Sequence, residues 1–171
     1  GDFSVVAIGP IIISSVFATI TSRHFYGDHP AFTPPEYILN SPVEIIFYII
    51  LGVAAGLVGW IFVKSLYYSE DIFERSKLPI GVQALIGGTI LGLLAIFLPD
   101  VLGVGYKSMD MALTSAIPFY LVILILFGKI FATSISLGSG ASGGIFAPSL
   151  FMGSMLGNAL GTTFHNFFPS I

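Results

Sequence analysis

The chain alternates long apolar tracts with short polar stretches. A helix needs about 20 mostly apolar residues to cross the hydrocarbon core of a bilayer, and several of these tracts reach that length. The stretches between them are rich in Pro, Gly and charged residues, which end helices or carry them into water. The pattern predicts an all-α integral membrane protein with spans at about 5–22, 42–65, 80–98, 111–137 with a break at Pro118, and 144–164.

Composition agrees with this pattern and excludes several classes of protein. Of the 171 residues, 55% are hydrophobic and 9% are charged, against about 25% charged residues in a typical soluble domain. The net charge of −3 comes without a basic stripe, so nucleic acid is not an expected partner. The sequence contains no cysteine, which excludes disulfides and thiolate metal sites, and no cofactor or metal is expected. The chain starts at Gly1 and stops at Ile171 soon after an apolar tract, so we expect a piece of a larger protein.

Basic residues concentrate in one stretch between predicted spans. Lys64, Arg75 and Lys77 lie within 64–79, whereas the stretches on either side carry one basic residue each. Short loops with an excess of Lys and Arg stay on the cytoplasmic side of a membrane. We therefore expect 64–79 to be a cytoplasmic loop.

The last long apolar tract, 118–164, is interrupted near its middle by 138–144, which is dominated by Gly and Ser. Non-helical chain at membrane depth is tolerated only where it is buried in protein or lines a water-filled cavity. A new apolar helix opens at Ile145 and Phe146, with Pro148 in its first turn, where a missing N–H costs little. The break is therefore expected to expose a helix N-terminus inside the membrane.

The free backbone N–H groups of this N-terminus are expected to form an anion site. They belong to Gly144, Ile145, Phe146 and Ala147, and together they carry roughly half a positive charge, which attracts anions. No Lys, Arg, Asp or Glu occurs from Ile130 to Ile171. Backbone dipoles rather than a fixed charge would hold the ion, which suits conduction better than trapping.

Lys129 is a charged residue within the apolar tract that precedes the break. A charge at that depth costs roughly 2.5–3.5 kcal/mol on insertion scales, so Lys129 is expected to face protein or a water-filled cavity. Two interpretations remain open. Lys129 raises the electrostatic potential along an anion path, or it forms a structural pair or extends towards the membrane surface.

The segment G-S-G-x-S-G-G-I-F-A-P-S-L at 138–150 resembles the anion-site segment of the CLC family of chloride channels and proton/chloride exchangers. The stretch P-D-V-L-G-V-G-Y at 99–106 also resembles this family; its glycines are expected to make tight turns, and no ligand role is assigned to it. The resemblance implies that the backbone amides of Ile145 and Phe146 bind chloride. It also implies a bundle of tilted and broken helices, of which this chain would cover about helices I to N.

The resemblance further implies a multi-pass protein of the cell membrane that forms a homodimer in the lipid bilayer, with one pore per subunit and the first helix of this chain at the subunit interface. Its ligands would be chloride and, in an exchanger, protons. The family's G-S-G-I-P and G-K/R-E-G-P segments, its downstream pore tyrosine and its internal proton-transfer glutamate have no counterpart in this sequence. The sequence thus predicts chloride transport without deciding between a channel and an exchanger.

Other interpretations of the break are enzymatic or purely structural. Residues 140–143 match the G-x-S-G of rhomboid-like intramembrane serine proteases, with Ser142 as the nucleophile. The only downstream base, His165, lies about 23 residues on, or ~34 Å along a helix. The G-x-G-x-x-G pattern at 138–143 lacks the strand and the acidic residue of a dinucleotide site. The remaining alternatives are a glycine-rich helix junction without a ligand, and a metal site at His24, Asp28 and His29.

Overall fold

The computed structural model describes residues 5–28, 42–114 and 117–167. The chain divides into two compact units, Gly1–Thr33 and Pro34–Ile171, and each is described by itself. The described residues form six α-helices and one short 3₁₀ helix, which confirms the predicted all-α class. Their bounds are α1 Val5–Tyr26, α2 Glu44–Ser76, α3 Ile80–Phe97, the 3₁₀ helix Pro99–Val101, α4 Tyr106–Leu113, α5 Phe119–Gly138 and α6 Phe146–Phe167.

The first unit contains α1, which ends at a glycine stop. Gly27 has a φ of 87°, and its N–H donates to the carbonyl oxygen of Arg23 at 3.0 Å. Glycine adopts this left-handed conformation without strain and commonly ends helices in this way. Arg23 Nε also pairs with Asp28 Oδ1 at 3.1 Å on the exposed surface, so Asp28 has a cationic partner. His29, the third residue of the metal alternative, lies outside the described residues.

Helix α2 is longer than the sequence analysis predicts. It continues about three turns past Ser65 and includes most of the stretch predicted as a loop, so that prediction was wrong. No Gly or Pro occurs between Trp60 and Pro79 to stop the helix. The charges that indicated a loop suit a solvated helix surface, where Arg75 Nη2 approaches Asp71 Oδ2 to 3.7 Å one turn apart.

The length of α2 explains why its last turns are polar. Its 33 residues extend roughly 50 Å, whereas the hydrocarbon core of a bilayer is about 30 Å thick. The helix is therefore longer than the apolar layer is thick, which leaves room for its charged C-terminal turns outside that layer. The helix ends at Lys77, which has a φ of 53° and donates its N–H to the carbonyl oxygen of Glu74 at 3.2 Å.

Three of the helices are long and apolar enough to cross a membrane, judged by length and composition within the described part of the chain. They are α2, α3 and α5. Helix α3 coincides closely with the span predicted at 80–98. Helix α5 begins directly after Pro118, the residue at which the sequence analysis expects a break.

The segment between α3 and α5 contains short elements joined by tight turns. The 3₁₀ helix follows α3 directly, and α4 begins after Gly105. Gly103 and Gly105 have φ angles of 60° and 80°, which side chains other than glycine rarely adopt. This confirms the turn role that the sequence predicts for these glycines.

Helix α5 lies at the centre of the second unit. It contacts α2, α3, α6 and the 3₁₀ helix, while α4 packs against α6. The side chains of α5 that face these neighbours are almost fully buried: Val122, Ile125, Leu126, Ile130 and Ala132. Helices α5 and α6, which precede and follow the connecting segment in the chain, are therefore packed against each other.

The connecting segment, residues 139–145, is the helix break that the Gly/Ser run predicts, and the structure confirms it. Helix α5 ends in a Schellman motif. Gly140 has a φ of 87°, its N–H donates to the carbonyl oxygen of Leu137 at 3.0 Å, and the N–H of Ala141 donates to that of Ser136 at 3.2 Å. These two bonds satisfy carbonyl groups that the helix end would otherwise leave unpaired.

Candidate anion site

The candidate site lies where α6 begins. The first helical hydrogen bond runs from the N–H of Ser149 to the carbonyl oxygen of Ile145 at 3.0 Å, and the Ser149 hydroxyl donates to the same oxygen at 2.7 Å. Pro148, in the first turn, has no N–H to offer. In this first turn the carbonyl oxygen of Ile145 therefore accepts hydrogen bonds, whereas the backbone amides that precede Pro148 remain at the open end of the helix.

Four successive backbone amides precede Pro148. Within the described ranges, the N–H groups of Gly144, Ile145, Phe146 and Ala147 donate to no backbone carbonyl. Together with the helix dipole, such donors make a concave positive end that favours a negative ion. The side chains of Ile145 and Phe146 are 56% and 82% exposed, so this end is open in the chain as it stands.

A cavity of about 180 Å³ lies beside the break. Gly143 and Gly144 line one side of it, and hydroxyl-bearing residues of α5, Thr133 and Ser136, line another. The turn that follows α3 supplies a third side, with Gly103 among its lining residues. A cavity of this size with polar groups on its wall has room for several water molecules.

Lys129 projects from α5 into the wall of this cavity. Its side chain is 2% exposed. The Nζ atom donates to the carbonyl oxygens of Val101 at 2.9 Å and of Gly103 at 2.5 Å, and it lies 4.8 Å from the ring centroid of Phe151. Lys129 therefore faces protein and borders a cavity, as the membrane cost of a charge requires.

The partners of Lys129 were not found by sequence reasoning. The acceptors are main-chain carbonyls 28 and 26 positions away, in the stretch to which no ligand role was assigned. A carbonyl acceptor leaves no signature in residue type. The signal that was present is the pair of glycines, Gly103 and Gly105, which marks a turn.

Two further polar contacts fix the surroundings of the site. Asn158, buried in α6, donates its Nδ2 hydrogen to the carbonyl oxygen of Ala112 at the end of α4, at 2.6 Å. Ser108 in α4 donates its hydroxyl to Asp100 Oδ1 at 2.6 Å. The short helix α4 is thus tied both to α6 and to the 3₁₀ helix.

The geometry gives the enzymatic alternatives no support. Ser142 precedes the first turn of α6, whereas His165 lies in its last turn, and the helix between them is roughly 29 Å long. The two side chains are not within hydrogen-bond reach, as a nucleophile and its base must be. The glycine pattern at 138–143 follows a helix rather than the strand that a dinucleotide site needs.

The described residues combine helices long and apolar enough to span a membrane with a break that leaves a helix N-terminus open. In many membrane transport proteins, broken helices of this kind present their termini to ions. Comparison with known proteins identifies the family. Residues 1–171 match the family model described as voltage gated chloride channel, and the chain belongs to that family. This confirms the resemblance on which the sequence analysis relied.

Individual relatives carry names that fit this family. The chain is 36% identical over 169 residues to a protein of Ralstonia nicotianae named as ClcB-like, covering 99% of this chain and 39% of the relative. It is 30% identical over 173 residues to a H(+)/Cl(−) exchange transporter ClcA of Vibrio parahaemolyticus, covering 99% of this chain and 37% of the relative. A ClcA exchange transporter of Yersinia pestis is 32% identical over 174 residues, covering 98% of this chain and 36% of that relative. The chain spans less than two fifths of the length of each.

Proposed function

We propose that the protein transports chloride across a membrane, as a channel or as a proton-coupled exchanger. We further propose that the backbone amides of Gly144, Ile145, Phe146 and Ala147 form part of its anion site. One observation carries the proposal: four successive N–H groups, which have no carbonyl partner among the described residues, lie at a helix N-terminus next to a break in an apolar tract. The relatives named as exchange transporters support the same substrate.

The electrostatics of the site suit passage of an ion rather than its retention. An ammonium about 4 Å from an anion in a dry site would attract it by up to ~20 kcal/mol as an upper bound. The start of α6 itself supplies backbone dipoles only, since the sequence contains no Lys or Arg after Lys129, and the Lys129 ammonium donates to the carbonyl oxygens of Val101 and Gly103. A transported ion must also leave, and a dipolar site binds it weakly enough to allow this.

The open amide end indicates that other segments complete the site. With Phe146 82% exposed, an ion held only by these amides would keep much of its contact with the surroundings. In the intact protein we place this end against further helices of the membrane domain, in a homodimer that spans the cell membrane several times.

Flux measurements on the full-length protein in liposomes test the proposal. We expect efflux when chloride is the internal anion and little efflux when gluconate replaces it. Flux that is indifferent to this replacement would refute chloride transport. The reversal potential under combined chloride and proton gradients then separates the two modes: a channel follows the chloride gradient alone, whereas an exchanger responds to both gradients.

A further inference from the structure

We propose that Lys129 is a positioning residue for the anion site: it holds the turn after α3 against Phe151 and thereby sets the place at which α6 presents its amides. The inference rests on the proposed function. Lys129 acts through its neighbours and does not itself bind the anion. The argument follows the contacts from the ammonium group to the start of α6.

The ammonium group of Lys129 is engaged by protein groups in several directions. Two of its three hydrogens are accounted for by the carbonyl oxygens of Val101 and Gly103. A third side faces the Phe151 ring, with Nζ 4.8 Å from the centroid, within the range of a cation–π interaction. A side chain held in this way fixes the relative positions of three elements: α5, the turn after α3, and α6.

The turn after α3 also contacts the Phe151 ring. Gly105 has a φ of 80°, and a Cβ atom built on it would overlap Cε2 of Phe151. The Phe151 side chain is fully buried at 0% exposure. Phe151 therefore contacts both the Lys129 ammonium and the backbone of Gly105, and loss of either contact allows the ring to shift.

Phe151 connects this arrangement to the amides. It lies one helical turn after Ala147, on the same face of α6, and the helix between them is continuous. A shift of the Phe151 ring along or across the axis of α6 is therefore expected to shift the first turn of α6 as well. Hydrogen bonds weaken steeply as donors move out of range or alignment, so a small displacement of the amides changes anion binding. Farther along α6, the contact from Asn158 to Ala112 restrains the helix a second time.

A rival mechanism is direct electrostatic attraction. Lys129 and Gly144 line the same cavity, so the positive charge could act on the anion through that space. The two mechanisms differ in one respect. Positioning makes Gly105 and Phe151 as important as the charge itself, whereas direct attraction makes binding depend on the charge and not on the glycine or the ring.

Chloride titration calorimetry on the full-length protein in detergent separates them, with K129M, K129Q, K129R, G105A and the double variant K129M/G105A. We expect K129M to weaken chloride binding on the order of tenfold. K129Q, which can still donate to one carbonyl, should lose less, and K129R should remain closer to the unaltered protein than K129M. G105A keeps the charge and should weaken binding as well. The double variant should lose less than the product of the two single losses, because both act through Phe151.

Each other outcome overturns the positioning role. If K129M and K129Q lose binding equally while G105A binds normally, the charge acts directly. If the variants lower the thermal unfolding temperature but leave chloride affinity and the chloride/nitrate affinity ratio unchanged, Lys129 is only structural. K129R and G105A provide the test if K129M fails to fold. Failure of the proposed function is distinguishable, because the unaltered protein itself would then bind no chloride.

Discussion

Gly87 in α3 lies directly against Ser139, the residue that follows α5, with no space for a side chain between them. A Cβ built on Gly87 would overlap the Ser139 hydroxyl and lie 2.5 Å from its Cβ. Ser139 is 2% exposed, and its hydroxyl donates to the carbonyl oxygen of Ser136 at 3.0 Å. The backbone of α3 therefore supports the chain at the point where it leaves the helix and enters the break.

Replacing Gly87 by Ala should destabilise the protein because the added methyl group overlaps Ser139. Overpacking of this kind costs about 1–3 kcal/mol, and thermal unfolding of the full-length protein in detergent measures it. Gly88→Ala is the matched control, since a Cβ at the next position of the same helix has nothing within 4 Å. Equal unfolding temperatures for the two variants would show that α3 and the break are not in contact.

Both ends of α5 were predictable because local chemistry determines them. Pro118 starts a helix and cannot continue one, and Gly140 supplies the left-handed residue that a Schellman motif needs. The end of α2 was missed for a local reason as well. The charged residues after Lys64 suggest a loop, whereas the absence of Gly and Pro there and the pairing of Asp71 with Arg75 favour a continued helix.

The surroundings of the candidate site were less predictable because they depend on contacts between distant parts of the chain. That Lys129 must face protein or water follows from its cost in lipid. That its partners are the carbonyls of Val101 and Gly103 does not follow from any pattern, since every residue carries a carbonyl. Likewise, the approach of Gly105 to Phe151 becomes visible only when α6 is packed in place.

The role of the backbone amides can be tested by Phe146→Pro. Proline removes one N–H from the proposed anion site, and its fixed φ is compatible with the first position of a helix. We expect chloride affinity to fall on the order of tenfold, because losing one donor to a desolvated anion costs about 1–3 kcal/mol. Isothermal titration with chloride measures the change.

Phe146→Ala is the control for this substitution. It removes the same aromatic ring, which is 82% exposed, but keeps the N–H group. Chloride affinity close to that of the unaltered protein is expected for the alanine variant. If alanine and proline weaken binding equally, the side chain rather than the amide is responsible, and the proposed site is incorrect.

Two buried serines should differ in how their replacement by alanine changes stability. Ser108 is 3% exposed and donates to Asp100 at 2.6 Å, so Ser108→Ala leaves a carboxylate oxygen without its partner. Ser69 is 5% exposed, and its hydroxyl has no hydrogen-bond partner among the described residues. Removing an unpaired buried hydroxyl relieves a desolvation cost rather than breaking a bond.

We therefore expect Ser108→Ala to lower the free energy of unfolding by about 0.5–1.5 kcal/mol, since water can replace the serine at the exposed Asp100 carboxylate. Ser69→Ala should leave the free energy of unfolding unchanged or raise it. Ser69 also lies against Gly138, where a Cβ would approach the Ser69 backbone carbonyl carbon to 2.9 Å, so the smaller alanine fits at least as well. Denaturant unfolding of both variants in the same detergent provides the comparison. A loss of stability in Ser69→Ala as large as that in Ser108→Ala would contradict the assignment.

Within the break itself, Gly140 and Ser142 should differ sharply in their tolerance of alanine. Gly140 has a φ of 87°, a conformation that costs a residue with a Cβ about 1–2 kcal/mol, and its Cβ would lie 3.1 Å from Cγ1 of Ile80. Ser142 is exposed, and removal of its hydroxyl should leave chloride flux within about twofold, since surface changes away from such features usually alter energies by less than ~0.5 kcal/mol. Gly140→Ala should lower both stability and flux, because it disturbs the Schellman motif that directs the chain from α5 to α6. If Ser142→Ala instead abolished activity completely while its unfolding transition stayed intact, Ser142 would be indicated as a nucleophile, as the protease alternative requires.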